Sequence, residues 1–401
     1  MISPHTDLVH RLRRHGQEHV LIGWDRLSIA ARAHLVDQLA GVDLAELDHL
    51  YTRRDEPHTA LPPRDRIAPL PVEPPTDAAV SVGEEALRNG KVAALVVAGG
   101  QGSRLGFDRP KGLFPIGPVS RSTLFRIHAE KVLALSRRYG KPVPLLVMTS
   151  PATHADTVDY FEGEHYFGLS PEQVQFFQQG TMPALDLATG KLLLERPGEL
   201  FLSPNGHGGT LTALTDTGLL PELKAAGVKH VFYFQVDNPL VNVCDPAFVG
   251  RHIETQAEVS SKVVFKDDPA EKVGILAEID GRCGIIEYSD MPPEMTNERT
   301  ADGTLTFRAG NPAIHCFSVE FLERVTVGAD RLAYHVARKK VEHYDLASGE
   351  TVTPETVNAL KFELFVFDAL PLADRWLAVQ TTREDEFAPL KNATGNDSID
   401  S

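Results

Sequence analysis

Short, uninterrupted apolar runs alternate along this chain with stretches of helical periodicity. Over 92–98, 143–149 and 230–235 the apolar residues follow one another with almost no polar break, as in strands covered on both faces. Between the first two, residues 124–139 repeat at helical spacing, and Ser122 is a candidate cap for that helix. The pattern predicts an α/β fold with a mixed, mostly parallel sheet and helices on both faces. From 259 to about 321 the text is again strand-like. Its turn signals at Asp267-Asp268-Pro269, Asp280-Gly281 and Ala301-Asp302-Gly303 predict an antiparallel layer beside the main sheet.

The first 50 residues read differently. Leu8, Val9 and Leu12, then Val20, Leu21, Trp24, Leu27, Ala30 and Leu35, recur at helical spacing from residue 5 onward, with Ser28 and Asp43 placed to cap helices. From about Glu56 to Pro75 seven prolines (Pro57, Pro62, Pro63, Pro69, Pro71, Pro74, Pro75) rule out a helix and predict an extended connector. The expected division is a helical region with its connector over 1–80, a core over 81–350 and a short C-terminal segment over 351–401. The polar tail from Thr394 to Ser401 is expected to fray.

Composition narrows the function classes. A 401-residue chain with 42% hydrophobic and 24% charged residues is an ordinary globular protein too long for one core. A net charge of −15 argues against a nucleic-acid-binding surface, so a phosphate site would have to be a local basic island. Cys244, Cys283 and Cys316 lie far apart without paired spacing, which fits a reducing cytosol better than a disulfide framework or a zinc site. No apolar run reaches the roughly 18 residues of a membrane span, and the N-terminal stretch lacks the apolar centre of a signal peptide. A cytoplasmic protein is expected.

The chemistry concentrates in VVAGGQGSRLGFDRPKG, residues 96–112. A buried strand breaks there into Gly99, Gly100 and Gly102, where backbone N–H groups can approach an anion with no Cβ in the way. Arg104 and Lys111 add full positive charges beside it. The loop is neither of the two common nucleotide loops. No Lys-Ser or Lys-Thr follows Gly102, and Leu105 stands where a dinucleotide fingerprint needs its third glycine. That excludes a NAD-dependent oxidoreductase. Asp237, at the end of the apolar run 231–236, is placed to hold Mg²⁺ against phosphate oxygens. In an open sheet ligands sit at the carboxyl ends of the strands, where the glycine loop and Asp237 both fall.

Other segments leave two readings open. Ser203-Pro204-Asn205-Gly206-His207-Gly208-Gly209 is a second glycine-rich turn before a helix expected over about 211–219. Its His207 is a general base, a metal ligand or a hydrogen-bond donor. Glu287 and Tyr288 either read a sugar hydroxyl or face water from an edge strand. Lys361 lies in NALKFELFVFD, read as an amphipathic helix with Leu360, Phe362, Leu364, Phe365 and Phe367 as core; its ammonium either snorkels to water or serves a sugar phosphate. Lys391 follows the charged run Arg383–Glu386 and is either an exposed lysine or a phosphate contact.

The glycine loop resembles that of the sugar-nucleotide pyrophosphorylases. With GQEHVLIGWDRLS, PLLVMTS, FFQQGTMPA, PNGHGG, VDNPLV, IIEYSD, AGNPAIH, ALKFELFVFD and REDEFAPLKNA in order, nearly the whole chain is similar to the uridylyltransferase family that contains the UDP-N-acetylglucosamine pyrophosphorylases. The resemblance implies a Rossmann-like, GT-A-like nucleotidyltransferase core. It implies that Val97, Ala98, Gly99 and Gly100 cradle UTP, that Arg104 and Lys111 meet its β- and γ-phosphates, and that Gln179 and Gly206 contact uracil or ribose. Asp237 would hold Mg²⁺, or Mn²⁺, at the α-phosphate, and Lys361 would touch the phosphates. His207, Glu287, Tyr288, Asn311 and Lys391 would shape the sugar 1-phosphate pocket.

One departure bears on the sugar. The acetylglucosamine enzymes carry Asn where this chain has His207, and PNGHGG is similar to the PxGHGD loop of glucose 1-phosphate and broad UDP-sugar pyrophosphorylases. The resemblance therefore implies a uridylyltransferase for N-acetylglucosamine 1-phosphate, with a glucose, galactose or broad-specificity enzyme as the alternative. A catalytically silent UDP-sugar-binding protein is the remote one. Ten residues follow Lys391, where eukaryotic members carry a sizeable C-terminal domain, so assembly that depends on such a domain is not expected.

Overall fold

The computed structural model of the chain describes residues 6–56, 61–117, 119–327 and 332–400. Within the connector Pro57 lies outside these residues, as do His5 and Ser401. The chain forms two compact units that interleave in sequence. The smaller comprises Met1–Ala60, Gly180–Gly206 and Ala333–Phe365; the larger comprises Leu61–Gln179, His207–Leu332 and Val366–Ser401. These differ from the contiguous division at 80 and 350. The apolar face of the N-terminal helices is covered by segments more than a hundred residues downstream, which no local composition shift signals.

In the larger unit the strands Val174–Gln178, Leu145–Thr149, Val92–Val97 and His230–Gln235 lie side by side and parallel, with His230 opposite Val92 and Gln235 opposite Val97. Their continuous apolar runs are those of strands buried on both faces. Phe232 and Phe234 are wholly buried among Val147, Phe125 and Phe248, each contributing about 1.5–3 kcal/mol of burial. The helix Leu124–Tyr139 follows as expected, but its cap is Thr123, whose hydroxyl accepts from Arg126 N, and not Ser122. Gly140 closes it at φ +66°, a left-handed turn that spares a Cβ.

The expected antiparallel strands exist, but they extend the same sheet and form no separate layer. His315–Ser318 pairs antiparallel with His230–Gln235, and Val259–Phe265 pairs antiparallel with His315–Ser318. Beyond them lie Ala309–Gly310 and the hairpin Ile275–Ile279/Arg282–Ile286, which turns at Asp280-Gly281. Trp376–Thr381 returns from the C-terminal part to run parallel to Val259–Phe265. The connector is partly strand as well: Ile67–Pro69 pairs with Ile275–Ile279, where a proline is tolerated because its missing N–H falls on an edge.

In the smaller unit the helices Thr6–Arg14, Ile29–Ala40 and Leu44–Thr52 form as their periodicity predicts. Ser28 caps the second by accepting from Ala31 N, and Asp43 caps the third by accepting from Ala45 N and Glu46 N. Leu12, Leu35, Leu39, Leu47 and Leu50 pack with Leu192, Leu194, Leu360 and Phe362. The segment around Lys361 is not a helix: Ala359–Glu363 is a strand, antiparallel to His335–Lys339. Leu360 and Phe362 are buried while Lys361 and Glu363 are half-buried, the two-residue alternation of a strand with one face covered. No helix among the described residues is long and apolar enough to cross a membrane.

Candidate active site

The four parallel strands deliver their carboxyl ends to one edge of the larger unit. Val97 and Ala98 lead from the first into the glycine loop, Ser150 and Gln179 follow two others, and Asp237 follows the fourth by two residues. The loop is built by its own backbone: Gly102 N donates to Arg109 O at 3.0 Å, and Lys111 N donates to Gly100 O at 3.0 Å. Gly99 O accepts from Ser150 Oγ at 2.9 Å. A Cβ on Gly99 would stand 2.7 Å from Gln179 Nε2, so the buried Gln179 amide lies directly against the loop. At Gly100 a Cβ would meet nothing within 4 Å, leaving the exposed face of the loop open to a ligand.

Lys111 and Asp237 face each other across these two loops, with Nζ 3.1 Å from Oδ2 and both side chains 11% exposed. The pair places a cation and an anion where the glycine loop opens. An ammonium carries three donors, so Lys111 can hold Asp237 and still donate to a phosphate. Arg104 is exposed and its guanidinium makes no ion pair among the described residues, while its carbonyl accepts from Ala393 N at 3.1 Å.

That last bond belongs to a C-terminal segment laid along the same edge. Glu386 O accepts from Asn238 Nδ2, Ala388 N donates to Asn238 Oδ1, and Leu390 N donates to Asp237 O, at 2.7, 3.2 and 2.8 Å. Lys391, the next residue, is half-buried with its ammonium 3.4 Å from Asp397. Lys391 N and Asn392 N both donate to Asp397 O, so the tail expected to fray is folded back as far as Asp397.

His207 opens the helix Gly209–Asp216, which starts and ends a few residues before the expected 211–219. Val366 N–H donates to His207 Nδ1 at 3.2 Å, which fixes the neutral ring with its proton on Nε2. Glu287 and Asn311 converge on Gly274. Asn311 N donates to Gly274 O at 2.9 Å, and Glu287 Oε1 lies 3.3 Å from where a Gly274 Cβ would stand. Tyr288 is 49% exposed.

Lys361 and Gly206 belong to the smaller unit. The Lys361 ammonium lies 4.9 Å from the centre of the Phe201 ring; burial lowers its pKa and Lys339 adds to that, against Glu363. Gly206 has φ +85°, and a Cβ there would sit 2.5 Å from Leu364 O, so only glycine fits. Its neighbour Asn205, buried and bonded through its backbone to Gly180 O and Leu364 N, has no role in the sequence reading beyond its place in the glycine-rich turn. The Asn-Gly turn signal was its one local trace.

Also missed were Lys262 and Glu386, a buried ion pair reinforced by Asp245 at 2.7 Å from Lys262. A lysine inside the apolar strand VSSKVVF is the available signal, since a buried lysine needs a partner. A cavity of about 670 Å³ is lined by Lys131, Leu240, Asn242, Thr381 and Glu386, among others, and by none of the candidate site residues.

A divalent cation is testable against this donor set. No group of three or more acidic, His or Cys side chains that could together hold a metal ion is present among the described residues. One carboxylate, Asp237, suits Mg²⁺ that takes its remaining oxygens from phosphates and water. It does not suit a metal caged wholly by protein.

Residues 64–396 match the model of the family described as UTP–glucose-1-phosphate uridylyltransferase. The chain is 37% identical over 421 residues to UDP-N-acetylglucosamine diphosphorylase 2 of Arabidopsis thaliana, covering 98% of this chain and 81% of that protein. It is 39% identical over 322 residues to UDP-N-acetylglucosamine pyrophosphorylase of Saccharomyces cerevisiae, covering 79% and 67%. Among solved structures it is similar to the inhibitor complex of uridine diphosphate N-acetylglucosamine pyrophosphorylase from Trypanosoma brucei. There the TM-score is 0.83 and the identity 30%, over all of this chain and 84% of that one.

Proposed function

The chain belongs to the UTP–glucose-1-phosphate uridylyltransferase family, and we propose that it makes UDP-N-acetylglucosamine and pyrophosphate from UTP and N-acetylglucosamine 1-phosphate. The observation that carries the reading is the Lys111–Asp237 pair at the mouth of the glycine loop, Lys111 at the far end of that loop and Asp237 just past the neighbouring parallel strand.

In this reaction an oxygen of the sugar 1-phosphate attacks the α-phosphorus of UTP. A new P–O bond forms in line as the bond to the β-phosphate oxygen breaks, and pyrophosphate leaves with the electron pair. The attacking oxygen is already ionised, so no strong base is required. The protein's task is to orient two anions and offset their repulsion. The open face at Gly100 admits the triphosphate to the backbone, and the Gln179 amide beside Gly99 is placed to read the uracil or ribose. Lys111 and Arg104 meet the charge that develops on the leaving pyrophosphate. Lys391 receives the sugar phosphate, and Glu287, Tyr288 and Asn311 read the sugar. Asp237 would hold Mg²⁺ or Mn²⁺, which when bound neutralises phosphate charge. The three cysteines, all free and buried, suit a reducing cytoplasm.

A second reading, a glucose or galactose 1-phosphate enzyme, is favoured by His207. Its Nε2–H is a donor, suited to an acceptor oxygen on the sugar. The test is pyrophosphate release from UTP and Mg²⁺ with a panel of 1-phosphates of N-acetylglucosamine, N-acetylgalactosamine, glucose and galactose. Release with the acetylated sugars supports the proposal. Release only with glucose or galactose replaces it with the second reading, and no release with any of them rejects both.

A further inference from the structure

Glu386 sits at a junction that the reaction itself does not require. It is 6% exposed, and each part of it has a separate partner. Oε1 accepts from the ammonium of Lys262, itself 2% exposed, and from Thr381 Oγ1 at 3.1 Å. Oε2 accepts from Asn242 N at 3.3 Å, and its main-chain carbonyl accepts from Asn238 Nδ2 at 2.7 Å. Lys262 and Thr381 stand on neighbouring strands of the central sheet. Asn238 and Asn242 belong to the loop that begins at Asp237. Lys131 holds the same loop by donating to Pro239 O and Val241 O at 2.6 and 2.7 Å.

From Glu386 the chain runs extended beside that loop, bonding at Ala388 and Leu390, and reaches Lys391. The Asp237 loop is held by Lys131 and Lys111 as well, whereas the Lys391 segment takes its placement against that loop from a backbone anchored at one buried carboxylate. We infer that Glu386 is a positioning residue that holds the Lys391 segment in register with the Asp237 loop. The carboxylate suits this place because both oxygens accept. A glutamine would turn its NH₂ toward either the Lys262 ammonium or the Asn242 N–H, donor against donor.

The inference rests on the reading of Lys391 as the sugar-phosphate contact, and the experiment separates the two. KM and kcat are measured for UTP and for N-acetylglucosamine 1-phosphate, with Mg²⁺, in the wild type, Glu386→Gln, Lys391→Ala and the double variant. A displaced positive group predicts a rise of about tenfold or more in the sugar 1-phosphate KM in each single variant. The UTP KM should stay within about twofold. The double variant should be little worse than Lys391→Ala alone, because residues acting as one unit are not additive.

If Glu386→Gln lowers kcat with both KM values unchanged, or multiplies the effect of Lys391→Ala, Glu386 is only structural and the inference falls. If Lys391→Ala leaves the sugar 1-phosphate KM unchanged, the assignment of Lys391 falls first and takes the inference with it. Should Glu386→Gln fail to fold, Thr381→Val removes one bond to the same carboxylate. It should raise the same KM by about threefold, and an unchanged KM overturns the inference.

Discussion

Lys111 Nζ lies 3.1 Å from Asp237 Oδ2, and the two residues, 126 positions apart, meet because the loops that carry them follow two neighbouring parallel strands of the sheet. With each side chain 11% exposed, neither charge is well solvated and each is the other's compensation. The pair holds the site's charge pattern before any phosphate arrives. Catalysis by positioned charge needs that preorganisation, since reorienting groups during the reaction would cost free energy.

Removing one partner should separate stability from activity. Lys111→Ala strands a largely buried carboxylate and is expected to lower stability by up to about 3 kcal/mol. It should also lower kcat/KM by about a hundredfold or more. The double variant Lys111→Ala/Asp237→Ala should recover part of the stability and none of the activity. Denaturant unfolding and steady-state kinetics on the same preparations check both. A folded Lys111→Ala protein with wild-type kcat/KM would refute the role of the lysine.

Two glycines of the same stretch should respond in opposite ways. An alanine at Gly100 would project its Cβ into open space, so Gly100→Ala is expected to leave Tm unchanged while raising the UTP KM by about tenfold or more, because the methyl displaces the phosphate from the backbone. At Gly112 the Cβ would lie 2.1 Å from the buried Phe125 ring, and overpacking of that kind costs about 1–3 kcal/mol. Gly112→Ala should therefore lower Tm first. An unchanged UTP KM in Gly100→Ala would mean that no ligand uses that face of the loop.

Arg104 tests the exposed half of the charge pattern. Its guanidinium pairs with nothing among the described residues, so Arg104→Ala has little to lose in the folded protein. Stability should change by less than about 0.5 kcal/mol, as for an ordinary surface position. In contrast, kcat/KM should fall by about a hundredfold, with Arg104→Lys recovering only part because one ammonium cannot replace a two-pronged fork. Equal activity in all three proteins would remove Arg104 from the site.

What the sequence made legible follows from the range of each interaction. His230–Gln235 was readable to the residue, and Ser28 and Asp43 as caps, because burial on both faces and capping are written in adjacent positions. That the glycine loop and Asp237 each follow a buried strand was readable for the same reason. Lys361 was misread because Phe365, Val366 and Phe367 follow it and blur the two-residue alternation of Leu360, Phe362 and Leu364 into an apolar face. The two interleaved units were not legible, since Leu50 and Leu192 carry no mark of each other. Lys262 and Glu386, 124 residues apart, show the limit: a buried pair is visible only once the strand of one and the short helix Arg383–Glu386 of the other are in place.

Acid should weaken this protein in a definable window, and His252 gives the cleanest measure of it. Burial holds His252 down to about 3, with His230 adding to the effect, against an ordinary value of 6.5. Its Nδ1 shares a 2.7 Å hydrogen bond with Ser260 Oγ, and its Nε2 has no partner among the described residues, so a proton there would be a buried, uncompensated charge. Between those two values the unfolded chain binds a proton that the folded chain refuses. The stability associated with the neutral ring is thus complete above 6.5 and is lost as pH falls toward the folded value. His128 and His315, held to about 3 by burial, and His230, held to about 4, act in the same direction. The slope of unfolding free energy against pH should therefore be positive between about pH 4.5 and 6, and His252→Asn should reduce it by about 1.4 kcal/mol per pH unit, the value for one proton. Denaturant unfolding at four pH values in both proteins measures the slope directly, whatever the substitution does to stability at neutral pH. Identical slopes would mean that His252 is already protonated in the folded state, contrary to its burial.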